Sequence, residues 1–198
     1  NADQIGFVDN TELDKTNPLD ANQLRTRLIS FMAFTAEDKA YRKELTKMAS
    51  AYTGYKGDGK FHDEAIIPAL RSTAMSVAVQ ELGQPYVDSL MVHLKASADG
   101  TIRGRLINAM VATEDLKIGK DLIDFSLTPD VRDNEKTTFM FGLIRKKELD
   151  TVMWPWLTTN FDTLIAGLPS NYQSYAPYLF MADCDEMMND RLDSFLAP

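Results

Sequence analysis

Apolar residues recur along this chain at the spacing of an α-helix. Tyr41, Leu45, Met48, Ala49 and Tyr52 fall at i, i+4, i+7, i+8 and i+11, which lays one apolar stripe along a helix. Val87, Leu90, Met91 and Leu94 repeat the pattern, as do Ile102, Leu106, Ala109 and Met110. Leu157, Phe161, Leu164 and Ile165 do so again, and Met188, Leu192 and Phe195 close the series. Runs of alternating β-branched residues are missing, so the pattern predicts no sheet.

Turn residues separate the stripes. Asn17-Pro18 reads as an N-cap followed by proline at the first helical position, and Gly54 as a stop after Tyr52. Ser97-Ala98-Asp99-Gly100, Thr128-Pro129-Asp130 and Pro169-Ser170-Asn171 read as turns between helices. Gly54-Tyr55-Lys56-Gly57-Asp58-Gly59-Lys60 reads as a surface loop, and residues 1–16, with weak periodicity, as an irregular arm. Pro155 leaves the carbonyl of Thr151 without its helical donor, which predicts a helix start within a turn of it or a kink. Of the flanking Trp154 and Trp156, one is expected in the core and the other against the adjacent helix pair.

An apolar residue followed by arginine recurs near the start of alternate predicted helices: Leu24-Arg25, Leu70-Arg71, Ile102-Arg103 and Val131-Arg132. The intervals of 46, 32 and 29 residues lie near the ~34–47 of helical-hairpin repeats but are irregular. Two readings stay open: chance recurrence of a common dipeptide, or a stack of helix pairs that bury their apolar faces on one another.

Composition narrows the class. The 198 residues, 44% hydrophobic, suffice for one sizeable core, so residues 3–198 read as a single α-helical domain. Asn1-Ala2 reads as an affinity-tag scar. A net charge of −8 and a pI near 4.8 argue against nucleic-acid or anionic-membrane partners, which need a basic face. The lone Cys184 excludes an internal disulfide framework and leaves the redox compartment open. No apolar run approaches the ~20 residues that span a bilayer. No signal-peptide pattern opens the chain, and its localisation is unknown.

Few residues form a chemical constellation. Gly54-x-x-x-x-Gly59-Lys60 lacks the hydroxyl of a phosphate-binding loop, since Phe61 follows, and it succeeds a helix rather than a strand. His62-Asp63-Glu64 are neighbours that do not converge on one ion, and Asp63 or its neighbour is better read as a cap for the next helix. His93 reads as a surface or interhelix residue. Asp183, Asp185, Glu186, Asp190 and Asp193 lack the spacing of a calcium loop and read as a helix start and a solvated face. Neither histidine lies near a nucleophile motif.

The stretch Val131–Phe195 is the most specific. Val131-Arg132-Asp133-Asn134-Glu135 opens a helix, Trp154-Pro155-Trp156-Leu157-Thr158-Thr159-Asn160-Phe161-Asp162-Thr163-Leu164 follows, and Cys184-Asp185-Glu186 leads into Leu192-Asp193-Ser194-Phe195. In order and spacing these segments resemble the end of the C-terminal helical domain of the aminopeptidase N family, the gluzincin zinc aminopeptidases. The resemblance is closest over Gly100–Phe195 and extends more loosely back to Leu24. It implies an all-α fold, a superhelical stack of antiparallel helix pairs of the HEAT or armadillo-like α-solenoid kind. It further implies a domain excised from a larger, bacterial-type enzyme that removes N-terminal residues from peptides.

The family's catalytic chemistry has no counterpart here. Its H-E-x-x-H helix puts two imidazoles one turn apart on zinc, which activates water. This chain has only His62 and His93, 31 positions apart, and no G-x-M-E-N segment. The expectation is therefore a non-catalytic fragment with no cofactor of its own, zinc residing in the parent's catalytic domain. The expected partners are that catalytic domain and the parent's peptide substrate. The domain would cap the active-site chamber and limit access to it. Arg103, Arg132, Asn134 and Glu135 are the candidates for contacts with the peptide's far end, because a guanidinium forks onto both oxygens of a carboxylate. The opposing reading has Arg103, Arg105 and Arg132 pairing with acids of neighbouring helices. A free-standing helical-repeat scaffold that binds a protein on its concave face is the alternative for the whole chain.

Overall fold

A computed structural model describes residues 6–167, 170–174 and 186–196, and every regular element among them is helical. Two compact units are present, Asn1–Ala112 and Thr113–Pro198. In the first, α1 (Glu12–Thr16) and α2 (Pro18–Ser30) lead through a π-helical turn, Phe31–Thr35, to α3 (Lys39–Tyr52). Then come α4 (Arg71–Leu82), α5 (Gln84–Ala96) and α6 (Gly100–Met110). The second holds α7 (Leu116–Ser126), α8 (Asp133–Leu143), α9 (Asp150–Ala166), the short α10 (Ser170–Gln173) and α11 (Glu186–Leu196).

Helix packing follows the stacked-hairpin rule, in which a helix touches both its sequence neighbour and the next helix but one. Helix α4 packs on α3 and on α6, α5 packs on α6, and α7 packs on both α8 and α9. This is an all-α arrangement of packed helix pairs, consistent with an α-solenoid. Helix α4 is the centre of the first unit and is buried on nearly every side through Thr73, Ala74, Met75, Val77, Ala78 and Val79. It shows only a weak one-sided apolar stripe because little of it, chiefly Ser72 and Glu81, faces solvent.

The turn signals hold where they are described. Asn17 caps α2 with Pro18 at its first position, and Asp38, Asp99 and Asp115 cap α3, α6 and α7. Gly54, at φ +61°, ends the α3 region in a left-handed conformation that a side chain would strain. Three expectations change. Part of the amino-terminal arm is ordered, because Thr11 and Asp14 form a capping box at the start of α1. Ser170 opens a short helix rather than lying in a turn, while Pro169 is outside the described residues. Asp63 caps no helix, its carboxylate instead pairing with Arg71 at 2.8 Å. Asn1, Ala2, Asp183, Cys184 and Asp185 also lie outside the described residues.

Pro155 is the sixth residue of α9, which starts at Asp150 and runs on through it. Trp156 is buried and its Nε1 donates to Asp124 of α7 at 2.7 Å, whereas Trp154 is half-buried and faces Arg191 of α11. The two tryptophans thus divide between the core and the neighbouring helix, as their opposite directions on α9 require.

Candidate functional site

The four residues expected to meet a peptide fall into both units. In the second unit, Arg132 is the N-cap of α8 and Glu135 its third residue. Glu135 is buried, and its carboxylate accepts the Arg132 backbone N–H at 3.0 Å and lies 3.9 Å from the Arg132 guanidinium. The Arg-x-Asn-Glu segment is therefore first a helix start: the glutamate reaches back to an orphan N–H of the first turn. Asn134 points outward and is exposed, and the Arg132 side chain is 44% exposed.

In the first unit, Arg103 is only 4% exposed. Its guanidinium donates to the carbonyls of Leu94 at 2.6 Å and Ser97 at 3.3 Å. These carbonyls close the carboxyl end of α5, where helical acceptors lack internal donors and a cation is favoured by the helix dipole. These main-chain oxygens are among the partners of Arg103. Arg25 is fully buried and ties the amino-terminal segment to α2. It donates to Asp14 at 2.6 Å, to the Gly6 carbonyl at 3.2 Å and to Asn22 at 3.1 Å. Hydrogen bonds from Arg25 and Thr11 hold the Asp14 carboxyl well below the usual carboxylate range.

The loop after α3 binds itself. The N–H groups of Gly57 and Gly59 both donate to the Gly54 carbonyl, at 2.9 and 3.1 Å, so they turn inward rather than toward a phosphate. His62 Nε2 sits 2.9 Å from Asp58, whose hydrogen bond raises the imidazole pKa above its ordinary value. Of the two readings of His93, surface or interhelix, the second holds: it is buried between α5 and the end of α3. Its Nε2 lies 2.9 Å from the Thr53 carbonyl, and its ring stacks at 4.3 Å on Phe61, which also meets Tyr52. His93 thus fastens Thr53 and Phe61 to α5, while the His62 ring pairs with Asp58 inside the loop.

The second unit has its own polar ties. Lys146 donates to the Thr113 carbonyl at 2.8 Å, and burial pushes its pKa down against the pull of Glu114 and Glu148. Burial raises the Asp124 carboxyl, but hydrogen bonds from Lys120 and Trp156 outweigh it and hold the group below its ordinary value. A shallow cleft of about 450 Å³ is lined by Trp154, Thr158, Asp190, Arg191, Ser194 and Phe195. Its hydroxyls are occupied by their own helices, Thr158 on Trp154 and Ser194 on Asp190, and Arg191 is paired with Asp150 at 2.7 Å. No group of three His, Cys, Asp or Glu among the described residues is placed to hold a metal ion.

Periodicity gives no sign of the carbonyl partners of Arg103 and Lys146, because main-chain oxygens are carried by every residue. What the arrangement defines is an all-α domain of helix pairs whose ordered polar groups join helix to helix. The ERAP1-like C-terminal domain family matches over residues 2–198, and the chain belongs to that family, an aminopeptidase-related C-terminal domain. No curated protein matches it.

Proposed function

We propose that this is the non-catalytic C-terminal domain of a zinc aminopeptidase, closing one side of the active-site chamber and limiting which substrates reach it. The family match over residues 2–198 is the observation that carries the reading. The two-histidine count supports it, since no H-E-x-x-H helix can be drawn from His62 and His93. The partners are the catalytic domain of the same polypeptide, which holds the zinc, and the peptide being trimmed.

Within this reading Arg132 is the chamber residue. Its main-chain N–H is satisfied by Glu135, and its side chain is 44% exposed at a helix amino terminus beside the exposed Asn134. A forked guanidinium there suits the carboxylate of a peptide's far end. Arg103, with its guanidinium on two carbonyls, serves packing.

Arg132→Ala in the whole enzyme is expected to raise KM for peptides while hardly changing turnover of single-residue amides, which have no distant carboxylate. The loss expected is about 1–3 kcal/mol, the scale of a charge-assisted hydrogen bond. Equal effects on both substrate classes together with a lowered Tm would assign Arg132 to the fold alone. The whole gene is expected to encode the zinc motif upstream of Asp3; its absence there favours the free-standing scaffold.

A further inference from the structure

One charge interrupts the buried face of α2. Ala21, Ile29 and Ala33 of that face and its π-helical continuation are buried, and Arg25 is enclosed among them. A charge is costly in such a place unless an opposite charge and hydrogen bonds meet it. The chain before the helix supplies them. The guanidinium donates to Asp14 at 2.6 Å and to the Gly6 carbonyl at 3.2 Å, while Asn22 accepts from its other side at 3.1 Å. The Asp14 side chain is itself only 7% exposed, and it also accepts the N–H and the hydroxyl of Thr11 at 2.9 and 2.6 Å.

The strap that carries this carboxylate, residues 6–17, is anchored by polar groups rather than by apolar burial. Helix α1 has five residues, none of them buried, far short of the ~12–15 at which an isolated helix becomes even marginal. Phe7 adds a ring contact to Tyr41 of α3 at 5.3 Å. Helix α4, by contrast, buries Ala74, Met75, Val77, Ala78 and Val79. A segment with few buried apolar groups opens at a lower free energy than the core it lies on.

We propose that residues 6–17 form a latch, that Arg25, oriented by Asn22, is the carboxylate socket it closes on, and that the latch opens as a unit while the core of the first unit stays folded. Asp14 is the tethered occupant of the socket. A guanidinium forks onto both oxygens of a carboxylate, so a small free carboxylate can stand in for the Asp14 side chain. This device belongs to the 198-residue chain itself and does not depend on the parent enzyme.

Amide hydrogen exchange of the 198-residue chain tests it. The N–H groups of Lys15 and Asn17 read the latch, because they donate to the carbonyls of Thr11 and Leu13 inside it, at 3.3 and 2.7 Å; the amides of α4 read the core. Asp14→Ala is expected to quicken exchange at Lys15 and Asn17 at least tenfold and to leave α4 unchanged. Acetate is expected to recover several-fold of the lost protection, and chloride at the same ionic strength none. Exchange that quickens equally in α4 overturns the separate opening, and unchanged exchange at Lys15 and Asn17 overturns the latch. Recovery by neither salt, or by both alike, overturns the socket. Thr11→Ala removes the cap hydroxyl and keeps Asp14; if it acts as strongly as Asp14→Ala, the helix cap holds the strap and the socket is overturned. Circular dichroism checks that the variants fold. Asp14→Asn, which keeps the shape and removes the charge, replaces Asp14→Ala if that variant unfolds, with the same selective quickening expected and its absence overturning the latch.

Discussion

Single residues in this domain act mostly through where their neighbours stand, and two glycines show it. Gly104 in α6 and Gly119 in α7 are both mid-helix, where alanine gains about 1 kcal/mol of helix propensity. A Cβ at Gly104 meets nothing within 4 Å, whereas one at Gly119 meets Leu149 at 3.0 and 3.1 Å and Met153 at 3.3 Å. Leu149 and Met153 are fully buried and have little room to move, and overpacking of that kind costs about 1–3 kcal/mol. Gly104→Ala is therefore expected to stabilise, and Gly119→Ala to be neutral or destabilising by up to about 2 kcal/mol. Urea unfolding followed by circular dichroism compares them, and equal stabilisation by both rejects the close α7–α9 approach. Arg103 belongs to the same scale. Its residue type marked it as a candidate, but its destination was set by a helix end six to nine positions earlier in the chain.

At the scale of elements, the loop between α3 and α4 is expected to respond to pH through the pair Asp58–His62. Asp58 raises the pKa of His62 above its ordinary 6.5, and that contribution is full below 6.5 and lost as pH rises through the raised value. His62 and the Lys60 N–H in turn lower the Asp58 pKa below its ordinary 3.8, a contribution present above 3.8 and lost as pH falls through the depressed value. The clasp is at full strength between 3.8 and 6.5. Amide exchange across Gly54–Lys60, corrected for the intrinsic rate, is expected to quicken between pH 6 and pH 9. His62→Gln should remove that change; exchange with the same pH profile in the variant would show that the clasp does not hold the loop. Helix α9 teaches the complementary lesson. Pro155 signalled an irregularity, but Lys147–Leu149 forms a short 3-10 turn that leads straight into Asp150, and the helix runs through the proline. The Trp156 bond to Asp124 fastens this stretch to α7, a long-range tie that a local rule about proline does not contain.

For the whole molecule, the family and the histidine count bear on the same measurement. The 198-residue chain, incubated with aminoacyl chromogenic substrates and zinc, is expected to show no turnover. Turnover that persists through repurification and tracks the chain would reject a non-catalytic domain. Against the acidic excess, −8 overall, some acids are paired locally, as in Lys117–Asp121 and Lys120–Asp124 on α7. Exposed pairs of this kind contribute little to stability. The all-α class was legible because successive apolar stripes at helical spacing, with no alternating runs, predict no sheet. The helix ends were legible at Asn17-Pro18, Gly54 and Asp99, where capping chemistry is local.

What the sequence by itself determined is therefore the helical class, most helix boundaries, the family and the absence of a zinc-binding helix motif from the chain. Each follows from neighbours in the chain or from residues that must occur at fixed spacing. What only the tertiary structure decided is the fate of the polar side chains. Arg103 meets the carbonyls of a preceding helix, Arg25 clasps Asp14 and Gly6, His93 is buried against Thr53 and Phe61, and α4 is enclosed on nearly every side. The outward face of α2 belongs with these: its Leu24, Arg27, Phe31 and Phe34 have the spacing of a core stripe, and only the packing of Ala21, Arg25, Ile29 and Ala33 shows which side faces solvent. The physical reason is that periodicity encodes how much of a helix is apolar, while burial depends on which other helices arrive to cover it.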